Sequence, residues 1–380
     1  MQCAKDISMP PNTARISIGI VARNEEAGIG ETLKSLFAQS IFAELERRGW
    51  ACEIICLANG CTDRTAEVVA KIFEANKGWH AYGDAFSARV VELRESGKIN
   101  AWNQFVHAFS ARDAETLFLL DADILIHCPE TLWNMWLVLE SDPQAHIAVD
   151  RPRKGLYFKR RKSLWDRVSL TASRLTSSGD TQLCGQLYGI RAHVARNIYL
   201  PKDLAACEDG FIKTMVCTDF LTRPPSTERI RLAEKAEHTF EAYATPSSLL
   251  KNQKRQIIGQ TIVHILVDKY LKNRPPRESE RLAETLRDKD SADPEWLKRL
   301  IQQHLEKTKF WWRLYPGMGV MGFKRLKRLK PLDSLICLPA AVAGSSLALI
   351  SGLMAFKALK AGCTNYWPQV QRQGMGLANS

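Results

Sequence analysis

Two carboxylates two residues apart close an apolar run, Leu117–Phe118–Leu119–Leu120–Asp121–Ala122–Asp123–Ile124–Leu125. Strand side chains alternate faces, so the spacing points both acids the same way, with Cα atoms roughly 6.6 Å apart. A continuous apolar run marks a parallel strand buried on both faces, and open α/β sheets bind ligands beyond the carboxyl ends of their strands. Two acids placed there suit a hard divalent cation shared with a substrate's phosphates. A solvated turn after a strand is the plainer reading of an isolated Asp-Ala-Asp, so the surrounding elements decide.

Those elements alternate. Ile16–Ala22 reads as a strand and runs into polar Arg23–Asn24–Glu25–Glu26; a helix follows from about Gly30 to Arg48, with Leu33, Leu36, Phe37 and Ile41 on one face. Glu53–Ala58 is a second strand with Asn59–Gly60–Cys61–Thr62–Asp63 as its turn, and Thr62 or Asp63 can cap a helix over Thr65–Ala75. Ala88–Leu93 reads as a third strand, Ile99–Ser110 as a helix and Thr116–Asp121 as the fourth strand. Strand–helix alternation with short loops predicts an α/β fold, a mostly parallel sheet flanked by helices. Four polar clusters then converge at one sheet edge: Arg23–Glu25, Asn59–Asp63, Gly97–Asn103 and Asp121–Asp123. They offer acceptors for base edges, a cation for phosphates and acids for a metal.

Beyond Asp150 the pattern changes. Arg151–Arg167 carries eight basic residues against one acid and reads as a loop and short helix; Leu183–Ile190 reads as a strand. Glu208–Asp209–Gly210 opens a helix through Cys217, and His238 follows a helical run. Gln253–Lys272 is a long amphipathic helix carrying Ile257, Ile258, Ile262, Ile265 and Leu266, and Arg274–Lys307 is polar and helical. With 380 residues and a formal charge of +12, the chain can build a sizeable core and favours an anionic partner. No paired zinc-binding Cys/His and no aromatic ribonucleoprotein signature appears, so nucleic acid is not the expected partner. The ten cysteines are scattered without a CxxC pair, which argues against zinc or a disulfide scaffold and for a reducing cytoplasm. The N-terminal MQCAKDISMPPNTAR lacks the apolar core of a signal peptide.

Leu335–Phe356 holds no charged residue over 22 positions, enough to span a bilayer. Lys324–Lys330 precedes it as a basic cluster, with Trp311, Trp312 and Tyr315 upstream; Lys357 and Lys360 give the far flank less charge. The positive-inside rule therefore puts the N-terminal domain in the cytoplasm, at the cell membrane. Two other readings stay open: a small-residue core hairpin hinged at Gly344–Ser345–Ser346, and a re-entrant membrane hairpin favoured by Pro339.

The stretches VARNEE, LANGCTDRTAEVV, GKINAWN, LLDADI and CEDGF, in this order from Ile16 to Lys213, resemble the family 2 glycosyltransferases of the GT-A fold; weaker likeness (EAYATPSSLLKNQKRQIIGQ) continues to Gln260. The resemblance implies a GT-A domain over 1–260, with a nucleotide-sugar half (16–125) and an acceptor half (126–260). A helical linker (261–331), a spanning or re-entrant segment (332–357) and a short tail (358–380) follow. It implies that Arg23 and Glu25 lie beside the base and ribose, that Asn59 and Asp63 shape that pocket, and that Lys98 faces the donor. Asp121 and Asp123 match the DxD that holds ribose and Mg²⁺ or Mn²⁺ on the diphosphate, and Asp209 matches the general base that deprotonates an acceptor hydroxyl, with inversion. His238 would be a further metal ligand, and Arg255 would contact the donor diphosphate of a UDP- or GDP-sugar. The basic and aromatic flanks favour a lipid or lipid-linked glycan acceptor.

The chain departs from the family pattern at Ala58, where an acid is usual, and at Asn252–Gln256, which lacks the Gln and Trp of QxxRW. Both departures, with no multi-pass channel, argue against a processive polysaccharide synthase. A nucleotide-cofactor oxidoreductase is disfavoured because no G-x-G-x-x-G follows the first strand, and a P-loop because Ile99 follows Gly97–Lys98. A catalytically degenerate membrane scaffold is the remaining alternative.

Overall fold

The computed structural model describes residues 14–76, 86–155, 182–204, 207–241, 245–274, 281–308, 326–327 and 331–364. Most of the basic stretch Arg151–Arg167, the aromatics Trp311, Trp312 and Tyr315, most of Lys324–Lys330 and the tail after Thr364 lie outside the described residues.

Eight strands form one mixed sheet: β1 (Ala14–Ala22), β2 (Ala51–Asn59), β3 (Phe86–Leu93), β4 (Thr116–Asp121), β5 (Ile124–Ile126), β6 (Ile147–Lys154), β7 (Leu187–Arg191) and β8 (Ile230–Phe240). Their order is β3-β2-β1-β4-β7-β6-β8-β5. The first four are parallel, as the alternation with helices requires; β7 runs antiparallel to β4 and to β6, β8 is parallel to β6, and β5 is antiparallel to β8. The apolar runs of β1, β2 and β4 are buried on both faces, which is why they read as unbroken in the sequence.

Five helices follow the early strands: α1 (Ile29–Phe37), α2 (Ile41–Arg47), α3 (Thr65–Ala75), α4 (Lys98–Gln104), extended by a π-turn to Phe109, and α5 (Thr131–Ser141). Leu33, Phe37, Ile41, Val69, Met135 and Trp136 of α1, α2, α3 and α5 pack one sheet face against Ile18, Ile54 and Leu120. The other face takes α4, then α6 (Ala192–Arg196), α7 (Glu208–Cys217), α8 (Pro246–His264), α9 (Leu282–Ala292), α10 (Trp296–Glu306) and α11 (Pro331–Lys360).

Four sequence expectations change. The helix expected from Gly30 to Arg48 is two helices, because Gln39 and Ser40 leave the helical ladder to bond the loop before α5: Gln39 Nε2 donates to the Cys128 carbonyl (3.1 Å) and the Ser40 N–H to the Pro129 carbonyl (2.8 Å). Arg151–Lys154 extends β6 instead of opening a loop. His238 lies within β8, not after a helix: Ala233–Glu237 favours helix by composition, but pairing with β6 and β5 overrides it, with Lys235 at φ +54° where the register slips. And α11 runs unbroken through Gly344–Ser346, so neither hairpin reading of the C-terminal segment holds.

Asp290 pins the C-terminal helices to the sheet domain. This buried carboxylate accepts from Trp296 Nε1 (2.5 Å), from the Lys202 N–H (2.7 Å) and from Tyr199 Oη (3.2 Å). Asp290→Ala would strand three donors and should cost about 3 kcal/mol in chemical denaturation, whereas exposed Asp288→Ala should leave the midpoint unchanged.

Candidate active site

The loops after β1 to β4 meet at one edge of the sheet and are tied to one another. Asn24 takes the left-handed conformation (φ +56°), tolerated by Asn, and its Oδ1 accepts from the Thr62 N–H (2.8 Å). Asp63 Oδ1 accepts from the Thr65 N–H (3.0 Å) at the start of α3, while its Oδ2 accepts from the Glu26 N–H (3.1 Å). Partial burial would raise the Asp63 pKa, but these hydrogen bonds outweigh it and hold the carboxyl below its ordinary range. Asn59 is buried and its Oδ1 accepts from the Gly97 N–H (3.0 Å), joining the β2 turn to the start of α4. Gly60 sits at φ +60°, and a Cβ there would come within 2.6 Å of Ser96 Cβ, so the turn needs glycine. Glu25 gives its N–H to Thr65 Oγ1 (2.8 Å), and Arg23 is exposed at the rim.

Lys98, the first residue of α4, is the hub. Its Nζ lies 2.7 Å from Asp121 Oδ1, 3.0 Å from Glu208 Oε1 and 3.0 Å from the Gly185 carbonyl. Burial works against the ammonium charge, but Asp121 and Glu208 outweigh it and hold Lys98 above the usual amine range. Burial also pushes Asp121 up to about 7, against the pull of Lys98. Gly185 crosses so close that a Cβ would lie 2.9 Å from Glu208 Oε1. Beneath this cluster, Trp102 Nε1 donates to Tyr188 Oη (2.7 Å), both rings being buried.

The chain turns at Ala122–Asp123 instead of continuing as strand, so the simple alternation expected for Asp121 and Asp123 does not apply. Thr32 Oγ1 holds that turn by donating to the Ala122 carbonyl (2.8 Å). The two carboxylates still repel, and Asp123 adds to the upward push on Asp121. Asp209 follows Glu208 in the first turn of α7. Burial and Glu208 together raise it to about 6, while Lys98 and Arg255 pull it down, which brings Arg255 of α8 into its electrostatic surroundings.

His238 is fully buried. Its Nδ1 lies 2.6 Å from Asp150 Oδ2 at the end of the β6 apolar run, and its Nε2 lies 3.5 Å from Gln186 Oε1. Burial would lower the imidazole pKa; Asp150 outweighs it and raises it to about 10. The Asp121 N–H also donates to the Gln186 carbonyl (2.8 Å), so one residue touches both the DxD strand and the histidine. Asp150, Gln186 and Gly185 went unnoticed in the sequence; the one available signal was the acid closing the apolar Ile147–Asp150, as Asp121 closes β4.

The donor chemistry fits an open cation site. Among the described residues no group of three His, Cys, Asp or Glu gathers to enclose a metal by itself. Two carboxylates at a strand end suit Mg²⁺ or Mn²⁺ whose remaining positions are filled by waters and phosphate oxygens. A carboxylate on one histidine nitrogen, as Asp150 is on His238, is the arrangement that orients the other nitrogen of a metal-ligating imidazole.

Residues 17–196 match the family Glycosyl transferase family 2. The match spans just under half of the chain, from β1 to β7, and supports a glycosyltransferase built on this mixed sheet. Among solved structures the chain is similar to the mannosyltransferase PcManGT from Pyrobaculum calidifontis in complex with GDP-Man and Mn²⁺ (14% identity, 92% of this chain and 90% of that one, TM-score 0.49). It is also similar to S. aureus TarS 1–349 (14%, 91% and 90%, 0.42). A third is glucosyl-3-phosphoglycerate synthase from Mycobacterium tuberculosis with Mn²⁺, UDP-Glc and phosphoglyceric acid (16%, 66% and 79%, 0.42). No curated protein matches the sequence.

Removing the hub cation leaves Asp121 and Glu208 facing each other while buried. Lys98→Met should therefore lose about 3 kcal/mol of stability or more. Adding Glu208→Gln should restore part of it, a coupling that a double-mutant cycle in urea would measure.

Proposed function

We propose that this chain is a metal-dependent, inverting transferase that moves a sugar from a UDP- or GDP-sugar to a hydroxyl of a lipid or lipid-linked glycan at the cytoplasmic face of the membrane. The observation that carries the reading is the meeting of Lys98, Asp121 and Glu208, with Asp209 next in line, where the first four strand-end loops converge.

In this reading Arg23 and Glu25 flank the base and ribose, and Asn59 and Asp63 keep the loops that shape that pocket in register. Asp121 and Asp123 hold the donor's ribose and diphosphate edge, and Lys98 lies beside them as a fixed cation that offsets phosphate charge. A Mg²⁺ or Mn²⁺ would be held by Asp123 and Asp121, with His238 as a further donor once it gives up its Nε2 proton, and would supply Lewis-acid stabilisation of the departing diphosphate. Arg255 adds positive charge on the α8 side. Glu208 is engaged by Lys98, which leaves Asp209 as the carboxylate for the acceptor. As the acceptor oxygen attacks the anomeric carbon opposite the leaving group, its proton passes to Asp209, the glycosidic bond forms, and the bond to the diphosphate oxygen breaks. Attack from that face inverts the anomeric centre.

Asp209 accepts a proton only when ionised, and its carboxyl is held near 6. Donor-saturated kcat/KM for the acceptor should therefore climb as pH rises through about 6 and then level off. Asp209→Asn should lower turnover by roughly 10²–10⁴ while nucleotide binding, followed calorimetrically with Mn²⁺, is retained. Unchanged turnover in this variant would overturn the base assignment. Asp123→Ala should instead abolish the Mn²⁺-dependent part of UDP or GDP binding; binding that ignores both the metal and this substitution would overturn the donor site.

A further inference from the structure

The C-terminal helix α11 is long and apolar enough over Ala341–Lys360 to cross a membrane, yet it does not leave the body of the protein. Ala341, Ser345, Ser351, Ala355 and Leu359 recur every four to six residues and are buried, giving one mostly small-residue stripe along which α11 meets α8 and α10. Its end is fastened as well: the chain turns at Gly362 (φ +77°), and Thr364 Oγ1 donates to Asp203 Oδ1 (3.0 Å), five residues before Glu208. If α11 spanned a bilayer, α8 would have to enter the hydrocarbon with it. That would take exposed Lys251, Gln256 and Gln260 with it, a costly burial of charge and amide groups.

The opposite face of α11 is a continuous apolar stripe, Leu338, Val342, Leu349, Ile350, Leu353 and Met354, each between 39% and 54% exposed. Exposed lysines bracket it: Lys327 before the helix, Lys357 and Lys360 at its end. An apolar face ended by lysines is complementary to a surface that is oily inside and negatively charged outside. We propose that α11 is an in-plane anchor, lying flat in the headgroup region of an anionic bilayer with Leu349, Ile350, Leu353 and Met354 in the acyl boundary. Among the described residues, α8 touches both this anchor and α7, the helix that carries Asp209. One side of α8 meets α11, and the other brings Arg255 into the electrostatic surroundings of Asp209 and lets Cys207 Sγ approach the Gln256 carbonyl (3.6 Å). Through α8 the acceptor end of the cleft is thus tied to the helix that would lie on the lipid. The purpose assigned to this seating rests on the proposed lipid acceptor; the seating itself does not.

Flotation of the purified full-length protein with phosphatidylcholine vesicles, with and without phosphatidylglycerol, tests the anchor. The wild type should float with the anionic vesicles, less so in high salt, and alkaline carbonate should strip it off. Ile350→Glu with Leu353→Glu, both at exposed positions, should weaken vesicle binding at least about tenfold while Mn²⁺-dependent nucleotide binding and the melting temperature stay unchanged. Lys357→Glu with Lys360→Glu should remove the preference for anionic lipid. Retention after carbonate would overturn the in-plane geometry. A folded wild type that ignores vesicles, or one whose stripe instead forms a dimer broken by the same double substitution, would overturn the lipid partner. Asp209→Asn should float like the wild type, so a failure of the transferase reading and a failure of the anchor give different results.

Discussion

Lys98 reaches Asp121, Glu208 and the Gly185 carbonyl with one ammonium group, and those partners come from three separate segments of the chain. Two carboxylates could not both stay ionised in this buried space without a cation between them. The cation cannot move out without stranding both acids, so the end of β4, the start of α4 and the start of α7 are fixed relative to one another. Everything proposed for the cleft depends on that fixing: the donor side is built on β4, the acceptor side on α7, and the distance between them is set by one side chain.

The same hub divides the labour between neighbours of like chemistry. Glu208 and Asp209 are adjacent in sequence, but the first points at Lys98 while the second stands in a half-buried position raised by burial and by Glu208 itself. Asp121 and Asp123 separate in the same way: one is locked to Lys98, and the other stands at the turn beyond the strand. Pairs of acids whose surroundings differ this much can take different roles without any difference in intrinsic chemistry.

The parallel half of the sheet is legible in the sequence because β1, β2 and β4 are buried on both faces and read as apolar runs, and each ends in a polar cluster. Thr65–Ala75, Thr116–Asp121 and the α7 start at Glu208 fall where capping and periodicity put them. The strands after β4 are much less legible. β5 is three residues long, β6 ends in charged residues, and β8 is made of helix-favouring Ala, Glu and Lys held extended by its neighbours. At the site, residue types and order marked Lys98, Asp121 and Asp209. The Asp150–His238 pair was hidden, because residues 88 apart in sequence meet only through β6–β8 pairing.

That pairing has a consequence for how the molecule comes into being. β5 sits at the sheet edge directly after Asp123, and the strand it pairs with, β8, is more than a hundred residues further along the chain. A chain growing from its N-terminus therefore completes the four parallel strands first, while the segment after the Asp121–Asp123 turn waits with its backbone groups unsatisfied. Such late, non-local pairing is slow, and it leaves an edge open to wrong partners in the meantime. The edge beyond the acidic turn is closed when Phe240 and Thr239 pair with Ile124 and Leu125. A nascent fragment ending at residue 196 would carry every strand that sequence comparison recognises and still lack the one that finishes the cleft.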